Sequence, residues 1–413
     1  AVGRNSLANN TVGGLNTALG SYALETNVDG SRNVAVGYGA LRTYEPSSAA
    51  DTYNTAVGYA AGSSLTTALY NTFIGADAGA TATTAAQNTA VGFEAYKGNT
   101  NTGEGNTAIG MRAMGNATVT SANYNVALGI QAGYNITEAE KNIAVGYNAA
   151  QQLTTGADNV YIGKDAGRLS TTGSGNVAIG VDSLESLTGA KHNNTAIGRD
   201  TMKSMTTGHD NIAIGAYALD AADSASNTQN ICIGVYSGSG ALDGYGNVFV
   251  GYQTAASATS AQHNVAIGRD ALAGLTTGDD NVCIGAYAGK DTNAVEGGVY
   301  NVFIGSKTRG THPSHSSAIA IGYNIDAAPG QVAIGTSGMG KVYNEFNTDN
   351  AWSQGSDSRL KQHINDSTLG LDFINDLRPV TYNWKPSNEL PEEWPLYHEE
   401  NQRDLETVMT GLI

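Results

Sequence analysis

Along residues 1–335, apolar residues come in runs of three, opened by Asn and closed by Gly, and the run returns at a steady interval. Asn264-Val265-Ala266-Ile267-Gly268 is followed 17 residues later by Asn281-Val282-Cys283-Ile284-Gly285, and equivalent runs open at Asn142, Asn159 and Asn176. Twelve of the nineteen intervals between successive closing glycines, from Gly3 to Gly335, are 17 residues long, so the stretch is one structural unit repeated. Each run has the length of a short strand. Counting from the Asn, strand alternation places the second and fourth positions on one face and the third on the other. The fourth is Val, Ile or Leu almost throughout, which predicts a core position. The second alternates between Thr and Val or Ile, as suits a half-covered site. The third is mostly Ala, with Phe73, Tyr161, Phe249 and Phe303 as exceptions, and a small residue there would admit another sheet or another chain.

The polar frame agrees with a coil. Gly at the end of each run supplies backbone angles that other residues reach only at a cost. Asn at its start suits a corner, and Asn side chains stacked coil on coil would form a ladder. Where the interval exceeds 17 the extra residues fall before the Asn, as in Tyr44–Tyr53, which is the corner insertion a stacked solenoid tolerates. At about 3.3 Å per residue a unit has roughly 56 Å of contour, enough for one flattened coil. Stacked at about 4.8 Å, some twenty such coils make a rod on the order of 95 Å long. The expected fold is therefore an all-β repeat solenoid, a parallel β-roll or β-helix. A coil this thin buries little core, so several chains side by side are expected.

Composition narrows the function. With 53 Gly, only 7 Pro and no three-residue period, the chain is rich in tight turns and is not collagen-like. A net charge of −16 excludes nucleic acid as a partner of any large face. No apolar run approaches the roughly 18 residues of a membrane span. Cys232 and Cys283 sit three units apart, roughly 14 Å at strand spacing, so they read as separate buried thiols. No signal peptide is visible, and the chain opens at Ala1-Val2-Gly3 on the tail of a unit, which reads as a fragment lacking its natural N-terminus.

Three groups on the array carry candidate chemistry. Tyr38, Tyr59, Tyr147, Tyr252 and Tyr323 each follow a closing Gly and offer flat rings for sugars, or simply pack beside the corner. Asp77, Asp165, Asp182, Asp200 and Asp270 stand two residues after Gly, where turn capping explains them; no acid pair suited to glycoside cleavage stands out. His312 and His315 read as a polar loop, and neither a metal nor another cofactor is predicted.

After Gly335 the period stops. Residues 336–355 read as a neck with Tyr343, Phe346 and Trp352 available for packing. Beyond it, Leu369, Phe373, Ile374 and Leu377 have helical spacing that Pro379 ends, and Val380–Trp384 alternates like a strand. Residues 356–413 are thus expected to be the first part of an α+β domain.

Two resemblances follow. The Asn-Val-Ala-Ile-Gly run resembles the head repeats of trimeric autotransporter adhesins, which form a parallel β-roll trimer, and the repeat shafts of bacteriophage tail fibres; the adhesin unit is usually shorter than 17 residues. The string Ser356-Asp357-Ser358-Arg359-Leu360-Lys361, with Leu377-Arg378-Pro379-Val380-Thr381-Tyr382-Asn383-Trp384 downstream, closely resembles the endosialidase-type intramolecular chaperone peptidase. That domain ends phage tail spikes and fibres, helps three chains register, and then cuts itself off. The resemblance implies a homotrimeric tail fibre of the virion, assembled in the bacterial cytoplasm and mediating host attachment through a glycan or protein receptor. It implies other tail proteins as partners through a missing N-terminus. It also implies Ser356 as nucleophile, Lys361 as its partner and scission between Gly355 and Ser356, with no activity on an external substrate. The alternatives are a bacterial trimeric surface adhesin and a polysaccharide-degrading tail spike.

Overall fold

The computed structural model describes residues 1–98, 102–116, 122–222, 227–290 and 296–345, together with the strands at 353–354, 379–382 and 409–412. Every three-residue run becomes a strand, from Thr17–Leu19 to Val302–Ile304, and each pairs in parallel with the equivalent strand of the next coil. The register is unit on unit: Val177 lies beside Thr195, Ala178 beside Ala196, and Ile179 beside Ile197. The result is a parallel β-solenoid of about 18 coils at about 17 residues per turn, with no helix among the described residues. Its sheet counts 21 strands, the last two of which are antiparallel. The strand Gly340–Glu345 turns back along Gln331–Thr336 and covers an edge that would otherwise offer unpaired backbone groups. The insertion after Tyr44 stays at its corner, where Gly30–Ser31 and Ala50–Asp51 form a two-stranded sheet of their own.

The glycine frame has a direct cause. At Gly163 the backbone takes φ +140°, and an added Cβ would lie 2.3 Å from the Gly180 carbonyl oxygen of the next coil. Coils stack at strand spacing only if this column carries no side chain. The Asn column is a continuous buried ladder. Asn159 Oδ1 accepts the Asn176 backbone N–H at 2.9 Å and its Nδ2 at 3.2 Å, while Asn159 Nδ2 donates to the Gly173 carbonyl at 2.8 Å. The same bonds join Asn264 to Asn281 and Asn281 to Asn301, and the ladder ends where Ala318 N–H donates to Asn301 Oδ1.

The core lies on the face opposite to the one the aliphatic residues predict. The third position is inside: Ala35, Ala178 and Ala266 are fully buried, as are Phe73, Tyr161, Phe249 and Phe303. The fourth position points outward, with Leu19 48% exposed, Leu128 43%, Ile267 39% and Ile284 38%. The reason is volume. The residue four past the closing Gly folds back into the same lumen and in many coils is large: Leu24, Leu41, Met114, Leu184, Met202, Leu219 and Leu272 are all fully buried. With that row in place, only Ala fits across from it.

The exceptions obey the same rule. Where the third position is Tyr161, the fold-back residue is Gly167, and a Cβ there would meet the ring at 2.3 Å. Phe73 lies against Gly62 and Gly79, Phe249 against Gly238, and Phe303 against Gly289. Large and small residues therefore trade places across the lumen. The small third position serves approach by the turn of its own chain, not by another chain.

Candidate functional site

The chain divides into two compact units, Ala1–Gly355 and Ser356–Ile413. Within the second, Pro379–Tyr382 pairs antiparallel with Met409–Leu412. Gly355, Ser356 and Lys361 lie outside the described residues, as do Phe346, Trp352 and the stretch from Leu369 to Leu377. In the first unit the residues singled out from the sequence can be placed one by one.

The tyrosines that follow the closing glycines stand out from the rod as half-exposed rings, and at Tyr38 and Tyr59 the ring faces are taken up by one another. Tyr38 and Tyr59 stack on one another with centroids 5.4 Å apart and planes 9° apart, and the Tyr22 edge meets Tyr38 at 5.5 Å. Arg4 and Arg42 approach the Tyr22 ring at 5.6 and 5.0 Å. Tyr53 and Tyr70, just before their Asn, stack at 5.9 Å. Coil spacing is close to ring-stacking distance, so neighbouring tyrosines consume each other's faces. At these stacked pairs a sugar would find edges and hydroxyls.

The aspartates after the glycines sit at left-handed backbone angles, φ 52–57°, and their carboxylates bind cations of their own or the adjoining coil. Lys203 Nζ reaches Asp182 at 2.9 Å and Asp200 at 2.8 Å, while Arg168 reaches Glu185 at 2.6 Å. Lys290 and Arg269 both bind Asp270, at 2.6 and 3.2 Å. Asp182 and Asp200, hydrogen-bonded to Lys203, hold its ammonium well above the ordinary lysine range. Lys97 and Arg112, hydrogen-bonded to Glu94, hold that carboxyl below its usual range. These pairs form structural ion ladders along the rod.

His312 and His315 stand with ring centroids 5.6 Å apart in a surface loop, and burial followed by the neighbouring His312 lowers the His315 pKa. Among the described residues no three His, Cys, Asp or Glu side chains gather as metal ligands. Burial pushes the Cys232 thiol up to about 12 and also raises Cys283; both are unpaired and lie in the lumen. Among the described residues no helix is long and apolar enough to cross a membrane.

What the sequence reading missed is the outward face of the sheet. Its signal was present: from Thr17–Leu19 through Val302–Ile304, the second and fourth positions carry no charged residue in any coil, in a chain of net charge −16. Alternation alone could not say that this face is exposed.

The family model described as the chaperone of endosialidase matches residues 356–410. It covers the region that carries Ser356 and Lys361 and begins where the second compact unit begins. No curated protein matches the chain.

Proposed function

We propose that the chain is a fibre protein of the phage tail type: a homotrimeric rod for attachment to a host surface, ending in an intramolecular chaperone that cuts itself away. The observation that carries this reading is the order of parts, a long β-solenoid followed at residue 356 by a match to the chaperone of endosialidase. A solenoid of near-identical coils could pair with its copies one coil out of step at little local cost. A C-terminal segment that associates first fixes the register, and its removal traps the assembled product kinetically.

Self-cleavage needs only the residues at the boundary. The Ser356 hydroxyl gives its proton to the Lys361 amine as Oγ attacks the Gly355 carbonyl. The Gly355–Ser356 amide breaks, its nitrogen takes up a proton, and an ester forms at Oγ. Water then hydrolyses the ester, leaving a carboxylate on Gly355 and a free amine on Ser356. Receptor contact, whether to glycan or protein, belongs at the corner insertions and the ends of the rod, where the surface departs from the repeat. Other tail proteins are its partners in the assembled fibre, which resides in the virion.

Mass spectrometry of the expressed chain tests the cleavage. The expected product ends at Gly355, and Ser356→Ala leaves the chain whole. A Ser356→Ala chain that still breaks there removes the serine from the mechanism.

A further inference from the structure

The outward face of the sheet is a surface without an occupant. Its two rows, typified by Val265 and Ile267 in one coil and Val282 and Ile284 in the next, run in register across nineteen parallel strands and contain no charge. The fourth-position side chains expose between 36 and 48% of their area at Leu19, Ile74, Ile109, Leu128, Ile233 and Ile304. At strand spacing the strip is roughly 90 Å long and about 10 Å wide, on the order of 900 Å², against some 300–600 Å² for the largest apolar patch of a typical monomer. One side of a stable protein interface takes about 800 Å².

We infer that this face is where copies of this chain pack against one another, and that its occupant is the same face of the neighbouring copies, converging on a common axis. The inference rests on the association of copies proposed above and adds the surface that does it. Uniformity selects the partner. A strip that repeats every coil, never bears a charge and continues for the length of the rod is matched by another strip of the same rise. A globular protein would cover a fraction of it, and a sugar chain would leave its aliphatic groups wet. The two rows themselves carry no acid or base, so parallel copies would meet along them without opposing like charges.

Thiol labelling of the full chain gives the test. Ile267→Cys replaces a side chain that a lone rod leaves 39% exposed, while the native Cys232 and Cys283 are fully buried and stay silent. A packed face makes Ile267→Cys react with a maleimide at least tenfold more slowly than Thr277→Cys, an exposed site off this face. Equal rates overturn the inference. A second variant, Ile267→Glu with Ile284→Glu, is expected to reduce the mass in light scattering to one chain while the β-sheet spectrum persists. An unchanged mass and unfolding temperature would also overturn it. Cleavage at Gly355, read by mass spectrometry on the same samples, fails or succeeds separately, so loss of the interface and loss of the chaperone reading are told apart.

Discussion

One three-residue strand shows two faces whose sequences obey different rules. Facing the lumen, the third position is Ala in most coils, and where it is Phe or Tyr a glycine opens opposite or beside it, as with Tyr161 and Gly167 or Phe249 and Gly238. Facing out, the fourth position is Val, Ile or Leu in every coil from Leu19 to Ile304, with nothing within the chain varying to match it. The inward row is under a local volume constraint that each coil solves for itself. The outward row is uniform in all coils, as the packing of copies inferred above would require.

The largest effect should come from breaking the inward rule. Gly167→Leu drives a side chain into the Tyr161 ring, which an added Cβ alone would approach to 2.3 Å. The backbone is not the obstacle, because Leu184 and Leu219 hold the equivalent position at φ 52° and 51°. The expected cost is about 3 kcal/mol from overpacking. Tyr161→Ala in the same chain should recover most of it, since that pair reproduces the Ala178 and Leu184 arrangement of the next coil. A double-mutant cycle in denaturant that came out additive would refute size exchange across the lumen.

Next in size is the ladder that joins the faces at their shared corner. Asn159→Ala removes the acceptor of Asn176 N–H and Nδ2 and the donor to Gly173, leaving buried groups unpaired. A loss of about 2 kcal/mol is expected, since an orphaned buried polar group costs roughly 1–3 kcal/mol. It should appear as faster amide hydrogen exchange at Asn176, confined to the adjoining coils because each coil contacts only its neighbours. Exchange unchanged at Asn176 would mean the ladder is ornamental.

The contrast also explains what could be read in advance. Period, glycine column, asparagine ladder and strand position are local properties of the run Asn264–Gly268 and its copies, so they were legible. Which face turns inward was not, because alternation is symmetric under exchange of the faces. The deciding residues sit elsewhere in the coil, at Leu184, Met202 and Leu272, and their meaning appears only when read against the third position. The chaperone region was legible by likeness to a known domain, and the family match begins at residue 356; the roles of Ser356 and Lys361 rest on that likeness alone. No periodic argument reaches them, since the period ends at Gly335.

The smallest effect belongs to the charged corner, which neither face buries. Glu94 accepts from Lys97 at 3.0 Å and from Arg112 at 2.7 Å, and these partners hold its pKa below the ordinary carboxylate range. A folded-state pKa below the unfolded one contributes stability that is fully present above the unfolded value, near 4.5, and is lost as pH falls through the folded value. Glu94→Gln should therefore lower stability at pH 7 by no more than about 1 kcal/mol, the scale of a solvent-exposed ion pair. The difference between variant and parent should close between pH 4.5 and more acid conditions, and shrink at high salt. Thermal melts across that range read the effect directly. A deficit that persisted unchanged at low pH would show that Glu94 acts by packing, and that the corner ladders belong with the lumen and not with the solvent.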